Sequence, residues 1–166
     1  SAASDVYKRQ EVDRPAVLED LRQALYASKI CAYAQGFNLL EEAGKVYGWD
    51  LQMGRIAKIW RSGCIIRARF LDTVSEIFEK ENGMTNLLAS GYFSQVLYGT
   101  RTGWGRIISL AVERGAAVPA LSSALAYFDS YRTARGSANL LQAQRDCFGA
   151  HTYERIDKEG AFHTDW

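Results

Sequence analysis

The stretch PAVLEDLRQALYASKICAYAQGFNLLEEAGKV, residues Pro15–Val46, decides the fold class. Its apolar residues recur at helical spacing, and Pro15 suits the first turn of a helix, so the stretch predicts one long α-helix. These apolar residues are Val17, Leu18, Leu21, Leu25, Ile30, Phe37 and Leu40. They lie on more than one side of the helix, which indicates burial by several neighbours or by a second subunit.

Six further segments have a helical pattern, and no segment alternates long enough to predict a strand. The predicted helices are Leu51–Arg61, a third from Cys64 to the turn at Glu81, one capped by Thr85 and ending near Tyr98, Thr102–Arg114, Pro119–Tyr131 and Ala138–Cys147. The remaining residues, from Ala150 to Trp166, are polar and rich in turn formers. The sequence therefore predicts an all-α domain of about seven helices with an extended C-terminal tail.

Three regions are predicted from these patterns. The first ten residues, SAASDVYKRQ, are small and polar and lack helical periodicity, so Ser1–Gln10 is interpreted as a non-native, adaptor-derived segment. Residues 11–149 form the helical domain, and residues 150–166 form the tail.

Composition excludes several classes of protein. With 166 residues, 48% of them hydrophobic and 23% charged, the chain can bury one sizeable core. A net charge of +1 is lower than nucleic-acid binders usually carry, and no apolar run is long enough to cross a bilayer. The absence of an export leader predicts a cytoplasmic protein.

The three cysteines, Cys31, Cys64 and Cys147, are odd in number and have no CxxC spacing. This pattern favours neither disulfides nor zinc, and we expect buried free thiols.

Motifs of catalytic or cofactor sites are missing from the sequence. It contains no G-x-G-x-x-G fingerprint, phosphate loop, H-E-x-x-H or nucleophile elbow. Its two histidines, His151 and His163, both follow the last predicted helix, which argues against a metal site or a serine-type triad. We therefore assign no catalytic, cofactor-binding or metal-binding residue in this chain.

One pair of residues could bind an anion. Arg145 falls in the last turn of a helix, and His151 follows six residues later, beyond a helix-ending glycine. A guanidinium fits a phosphate bidentately, and an imidazole can donate to a phosphate oxygen or a sugar hydroxyl. The alternative is a surface arginine paired with Asp146 and a solvated histidine.

A basic series provides a second candidate for anion binding. Its members are Arg55, Lys58, Arg61, Arg67 and Arg69. The simpler interpretation is a solvated helix face balanced by Glu76, Glu79 and Glu81.

The run from Gln142 to Tyr153, QAQRDCFGAHTY, resembles the C-terminal signature of 6-phosphogluconate dehydrogenases. Other stretches resemble that family in the same order: ASKI at 27–30, YAQGF at 33–37, IWR at 59–61, GCIIR at 63–67, YFDSYR at 127–132 and DKEGAFHTDW at 157–166. Two positions depart from the family pattern, because Gly136-Ser137 replaces a usual Leu-Pro pair and Cys147 replaces a usual tyrosine.

The resemblance implies a dehydrogenase that uses NADP to convert 6-phosphogluconate to ribulose 5-phosphate by oxidative decarboxylation. It implies that a preceding N-terminal domain binds most of the cofactor and carries the catalytic groups, so that these 166 residues alone are inactive. It also implies a homodimer in which the tail reaches the partner's active site, with Arg145 and His151 contacting the substrate. The alternatives are a non-catalytic helical dimerisation module and a related hydroxy-acid dehydrogenase.

Overall fold

The computed structural model describes residues 12–80 and 84–166, so the predicted segment Ser1–Gln10 lies outside the described residues. The helices are α1 (Arg14–Tyr47), α2 (Met53–Arg61), α3 (Leu71–Lys80), α4 (Gly91–Glu113), α5 (Pro119–Tyr131) and α6 (Ala138–Gly149), with a short 3₁₀ helix at Leu87–Ala89. Strands β1 (Tyr153–Glu154) and β2 (Ala161–Phe162) pair antiparallel. The all-α prediction is confirmed, with six α-helices in the described ranges instead of seven.

The chain divides into two compact units. The first ends at Phe128 and is called the helical unit; the second, Asp129–Trp166, is called the C-terminal unit. Within the described part of the chain, no helix is both long enough and apolar enough to cross a membrane.

Helix α1 has the length that the sequence predicts. The Asp13 carboxylate accepts a hydrogen bond from the Ala16 amide at 3.3 Å, and Pro15 occupies the first turn. The helix runs for 34 residues to Tyr47 and is capped by Gly48, whose φ of 69° suits a residue without a Cβ.

The two helices predicted between Thr85 and Arg114 are one continuous helix, α4, and it begins after Ser90. The Ser90 hydroxyl caps it by accepting from the Phe93 amide at 3.3 Å. The break expected between Tyr98 and Thr102 is absent. Gly103, further along α4, lies where α4 crosses α1. A Cβ at Gly103 would lie 2.7 Å from Asp20 Oδ1, so the glycine permits a close approach of the two helices.

The third predicted helix begins at Leu71 and not at Cys64. The segment before it is held in turns, with hydrogen bonds from the Arg67 amide to the Cys64 carbonyl and from the Leu71 amide to the Ala68 carbonyl, each at 3.2 Å. Ile65 is fully exposed in this segment. Its apolar residues therefore matched a helical spacing that the backbone does not adopt.

The core of the helical unit lies where α1 packs against α4, and α2 packs against α3. Its largest buried side chains are Trp104, Phe37, Phe93, Ile30, Leu71, Leu87 and Leu97. An ion pair joins α1 to α4: Arg106 Nε donates to Asp20 Oδ2 at 2.6 Å. The hydrogen bond from Arg106 lowers the pKa of the Asp20 carboxyl, so this ion pair persists at neutral pH.

The cysteines differ in their surroundings. Cys31 is fully buried, and burial raises the pKa of its thiol to about 12. Cys64 is half-buried, and Cys147 is exposed on α6. The prediction of buried thiols is therefore wrong for Cys147, because α6 buries little of its own surface.

Candidate functional site

The strongest candidate site lies in the C-terminal unit, on the last turn of α6 and the turn that follows it. Helix α6 carries Arg145 and Asp146 and ends at Gly149, and Ala150 caps it in the left-handed conformation. The backbone then passes through His151 into the hairpin of β1 and β2. This placement brings the end of α6, its cap and the tail into one compact unit.

Asp146 organises this unit. Its side chain is fully buried, and it is the only buried residue among the described residues from 129 to 166. Oδ1 accepts from the Thr152 amide at 2.9 Å and contacts His163 Nδ1 at 2.8 Å. Oδ2 accepts from the Thr164 amide at 2.9 Å and from Trp166 Nε1 at 3.0 Å. Two donors on each oxygen fill the acceptor sites of a carboxylate.

These hydrogen bonds keep the carboxylate charged. Burial by itself would raise the pKa of Asp146, but the hydrogen bonds from Thr164, His163, Trp166 and Thr152 outweigh it and hold the pKa well below its ordinary value. Because Asp146 is ionised, the proton in its contact with His163 lies on Nδ1 of the imidazole.

Arg145 is not the partner of Asp146, as the alternative interpretation required. Its side chain is exposed, and its hydrogen bond within the described residues is a long one, from Nη1 to Gln142 Oε1 at 3.4 Å. Because the Asp146 acceptor sites are filled by other donors, the Arg145 guanidinium keeps most of its donors for a ligand.

His151 is exposed, but its backbone is tightly constrained. The residues on either side have positive φ, 49° at Ala150 and 59° at Thr152, although neither is a glycine. The His151 ring lies over Gly149, where a Cβ would approach Cδ2 and Nε2 to 2.8 Å, and it meets the Phe148 ring edge to face at 6.3 Å. The glycine therefore makes room for the imidazole.

Both backbone polar groups of Thr152 are hydrogen-bonded to side chains of α6. Its amide donates to Asp146, and its carbonyl accepts from Gln142 Nε2 at 2.5 Å. Strained backbone of this kind persists only where its surroundings determine it, and such strain is common at functional sites.

The sequence-based pair, Arg145 and His151, thus lies in the same small unit on exposed surface, without a direct contact between the two side chains among the described contacts. Sequence reasoning missed the role of Asp146. An aspartate in the last turn of a helix opposes the negative end of the helix dipole, and that mismatch was the available signal.

The basic series forms a second depression, in the helical unit. A cavity of about 440 Å³ is lined by Arg61, Arg67, Ala68, Arg69 and Asp72. Arg61 forms an ion pair with Asp72, and Lys58 Nζ forms another with Glu79 Oε1 at 2.6 Å. Since acidic partners neutralise part of the series, the solvated-face interpretation fits it better than an anion site.

Comparison with known proteins places the chain in a family. The family model for the C-terminal domain of 6-phosphogluconate dehydrogenase matches residues 1–166. The NADP(+)-dependent, decarboxylating 6-phosphogluconate dehydrogenase of Bacillus subtilis is 55% identical over 150 residues, which are 90% of this chain and 32% of the relative. The decarboxylating 6-phosphogluconate dehydrogenase 1 of Spinacia oleracea is 51% identical over 162 residues, 98% of this chain and 34% of the relative.

A solved structure agrees with these relatives. The 6-phosphogluconate dehydrogenase of Plasmodium falciparum, described in its apo form and in complex with NADP+ or 6-phosphogluconate, superimposes with a TM-score of 0.89 at 38% identity. The match covers 97% of this chain and 34% of that one, so the chain spans about a third of the length of the relatives it matches. The chain therefore belongs to the family of 6-phosphogluconate dehydrogenase C-terminal domains.

Proposed function

We propose that this chain is the C-terminal, substrate-contacting and dimer-forming part of an NADP-dependent, decarboxylating 6-phosphogluconate dehydrogenase acting in the cytoplasm. The observation that carries the proposal is the pair Arg145 and His151: Arg145 is exposed on the last turn of α6, and His151 is exposed on the following turn, whose backbone is held by Asp146 and Gln142. In the proposed enzyme these two side chains bind the phosphate end of 6-phosphogluconate.

The chemistry of the two side chains supports a phosphorylated substrate. A guanidinium presents several donors in a planar fork that matches two phosphate oxygens, and charge-assisted bonds of this type are about twice as strong as neutral ones. His151 supplies a further donor to a phosphate oxygen or a sugar hydroxyl. Fixing one end of the substrate orients the carbon atoms that react, which raises the rate without a direct chemical role for this chain.

The described residues do not fit a dinucleotide. Their only sheet consists of two antiparallel strands of two residues each, and a nucleotide-binding fold needs a parallel sheet with a glycine-rich turn at a helix N-terminus. We therefore assign NADP to the other two thirds of the proposed enzyme and derive no step through it here. In the whole enzyme, oxidation of the C3 hydroxyl precedes loss of CO2 and protonation to ribulose 5-phosphate.

The surface of α1 supports the dimer. Exposed apolar residues recur every seven positions along its whole length, at Leu18, Leu25, Ala32, Leu39 and Val46. Four of them are large, and each of these four is more than half exposed. A stripe of this kind on one helix face is typical of a surface that packs against another helix. We assign it to the second copy of this chain.

The test of the site is a chimera in which residues 11–166 replace the matching domain of the Bacillus subtilis relative. Reduction of NADP+ that depends on 6-phosphogluconate is followed by absorbance. Arg145→Ala should raise KM by about thirtyfold or more, the scale for truncating one partner of a buried charge pair. Arg135→Ala, an exposed arginine of the same unit, is the matched control and should leave KM unchanged.

Two outcomes would contradict the proposal. A KM for 6-phosphogluconate that is the same in Arg145→Ala and in the control would remove Arg145 from the site. A folded, dimeric chimera without activity would favour a non-catalytic helical module.

The dimer is tested separately by sedimentation of the 166-residue chain. Leu25→Glu places a charge in the exposed stripe of α1, so this variant should sediment as a monomer.

A further inference from the structure

We infer that Asp146 is a positioning residue for the substrate site: its buried carboxylate holds the turn around His151 and the end of the tail against the last turn of α6, next to Arg145. The inference rests on the proposed function, because it concerns how the proposed phosphate-binding side chains are held. It assigns to Asp146 no contact with the substrate.

The hydrogen bonds of Asp146 join separate parts of the tail. One oxygen of Asp146 takes the Thr152 amide, which immediately follows His151, and the other takes the Thr164 amide and Trp166 Nε1. The same carboxylate thus joins the turn to residues more than ten positions further along the chain. Every one of its acceptor sites is used, so the carboxylate itself, which is fully buried, has no unpaired oxygen as long as these donors keep their places.

The backbone of the turn is strained on both sides of His151. Ala150 and Thr152 both have positive φ, a conformation that costs on the order of 1 kcal/mol for a residue with a Cβ. The hydrogen bond from the Thr152 amide to Asp146 is the contact that offsets this cost at one of the two positions. Without it, the backbone on the C-terminal side of His151 can relax to negative φ and rotate the imidazole away from its position over Gly149.

Apolar packing cannot replace the carboxylate in the described part of the C-terminal unit. Asp146 is the only buried residue in the described part of the C-terminal unit, so no hydrophobic core holds the turn if the carboxylate is lost. A bidentate phosphate contact needs its donors positioned within a fraction of an ångström, so a displaced turn weakens binding of the substrate.

The test uses the active chimera with Asp146→Asn, which keeps the shape of the side chain and removes its charge. KM for 6-phosphogluconate should rise about tenfold or more, while kcat changes little. Asp157→Asn is the matched control, because Asp157 lies in the same unit, is exposed and pairs with the exposed Arg155. Its KM should equal that of the unsubstituted chimera.

Trp166→Phe is a milder variant that serves if Asp146→Asn does not fold. It removes one of the four donors and keeps the carboxylate, so KM should rise about two- to threefold. In the double variant Arg145→Ala with Asp146→Asn, KM should exceed that of Arg145→Ala by much less than the product of the single effects, because both changes act on the same contact.

The outcomes separate this inference from the function on which it rests. If Arg145→Ala raises KM and Asp146→Asn matches its control, the positioning role is overturned and the proposed function stands. If Asp146→Asn lowers kcat and leaves KM unchanged, the residue only maintains folded protein, and the inference is likewise overturned. If neither Arg145→Ala nor His151→Ala changes KM, the proposed function fails and the inference fails with it.

Discussion

Each of the two units of this chain is stabilised internally by a different kind of interaction. In the helical unit the buried residues are mainly apolar and aromatic, as in the cluster of Phe37 against Trp60 and Phe78 at ring distances of 4.9 and 5.2 Å. In the C-terminal unit the one buried residue is a charged aspartate with four hydrogen bonds. One unit therefore excludes water with its core, and the other is organised by directional bonds.

The difference teaches how a short segment can hold a precise turn. A segment of this size cannot bury enough apolar surface for a core of its own. A buried carboxylate with all its acceptor sites filled instead selects one arrangement of its donors, because each alternative arrangement leaves a buried polar group without a partner. The exposed residues Arg145 and His151 can then occupy fixed positions in a unit that has almost no core.

The largest expected effect on global stability comes from the apolar side of this comparison. Trp104 is completely buried, and its indole Nε1 donates to the Leu121 carbonyl at 3.2 Å. Trp104→Ala should lower the free energy of unfolding by about 3–5 kcal/mol, measured by urea denaturation followed by circular dichroism. The control is Trp49→Ala, an exposed tryptophan, and an equal loss in both variants would contradict a core centred on Trp104.

A smaller effect tests the crossing of α1 and α4. Gly103→Ala places a Cβ 2.7 Å from Asp20 Oδ1, so we expect it to destabilise the helical unit by about 1–3 kcal/mol. Gly99→Ala on the same helix meets no atom within 4 Å and should stabilise by about 0.5–1 kcal/mol, because alanine favours a helix. The same denaturation curves measure both, and shifts of equal sign would show that the glycines are equivalent.

The smallest effect on global unfolding is expected in the C-terminal unit, where acid should act locally. The pKa of Asp146 is lower in the folded unit than its ordinary value of 3.8, so its contribution is complete above about pH 4 and is lost as the pH falls through the folded value. Hydrogen exchange of the Thr152 and Thr164 amides should therefore lose protection in acid beyond the intrinsic change in exchange rate. NMR measures this at each amide.

Two comparisons sharpen the acid experiment. The Phe93 amide donates to a serine hydroxyl, which does not titrate, so its protection should not follow the same pH dependence. In Asp146→Asn the side chain keeps one acceptor oxygen, so at least one of the Thr152 and Thr164 amides should be poorly protected at every pH. Protection of both amides equal to that in the unsubstituted protein at neutral pH would refute the carboxylate as the anchor of the turn.

The prediction of the fold succeeded where local signals act alone. The long apolar pattern from Pro15 predicts α1 to within one residue at each end. The prediction failed between Tyr98 and Thr102, where α4 continues without a break, and at Cys64, where no helix begins. A glycine inside a helix, such as Gly99, and a glycine that ends a helix look the same in the sequence, and the apolar residues around Ile65 fit a helical spacing although the backbone there forms turns.

For the site, the sequence determined which side chains are available: an arginine and a histidine six positions apart around a helix end, in a pattern typical of one family. It also determined the all-α class, because helical periodicity and capping residues depend on near neighbours in the chain. Only the tertiary structure decided the partner of Asp146. Its donors come from up to twenty positions along the chain, and no local pattern records a hydrogen bond across that separation.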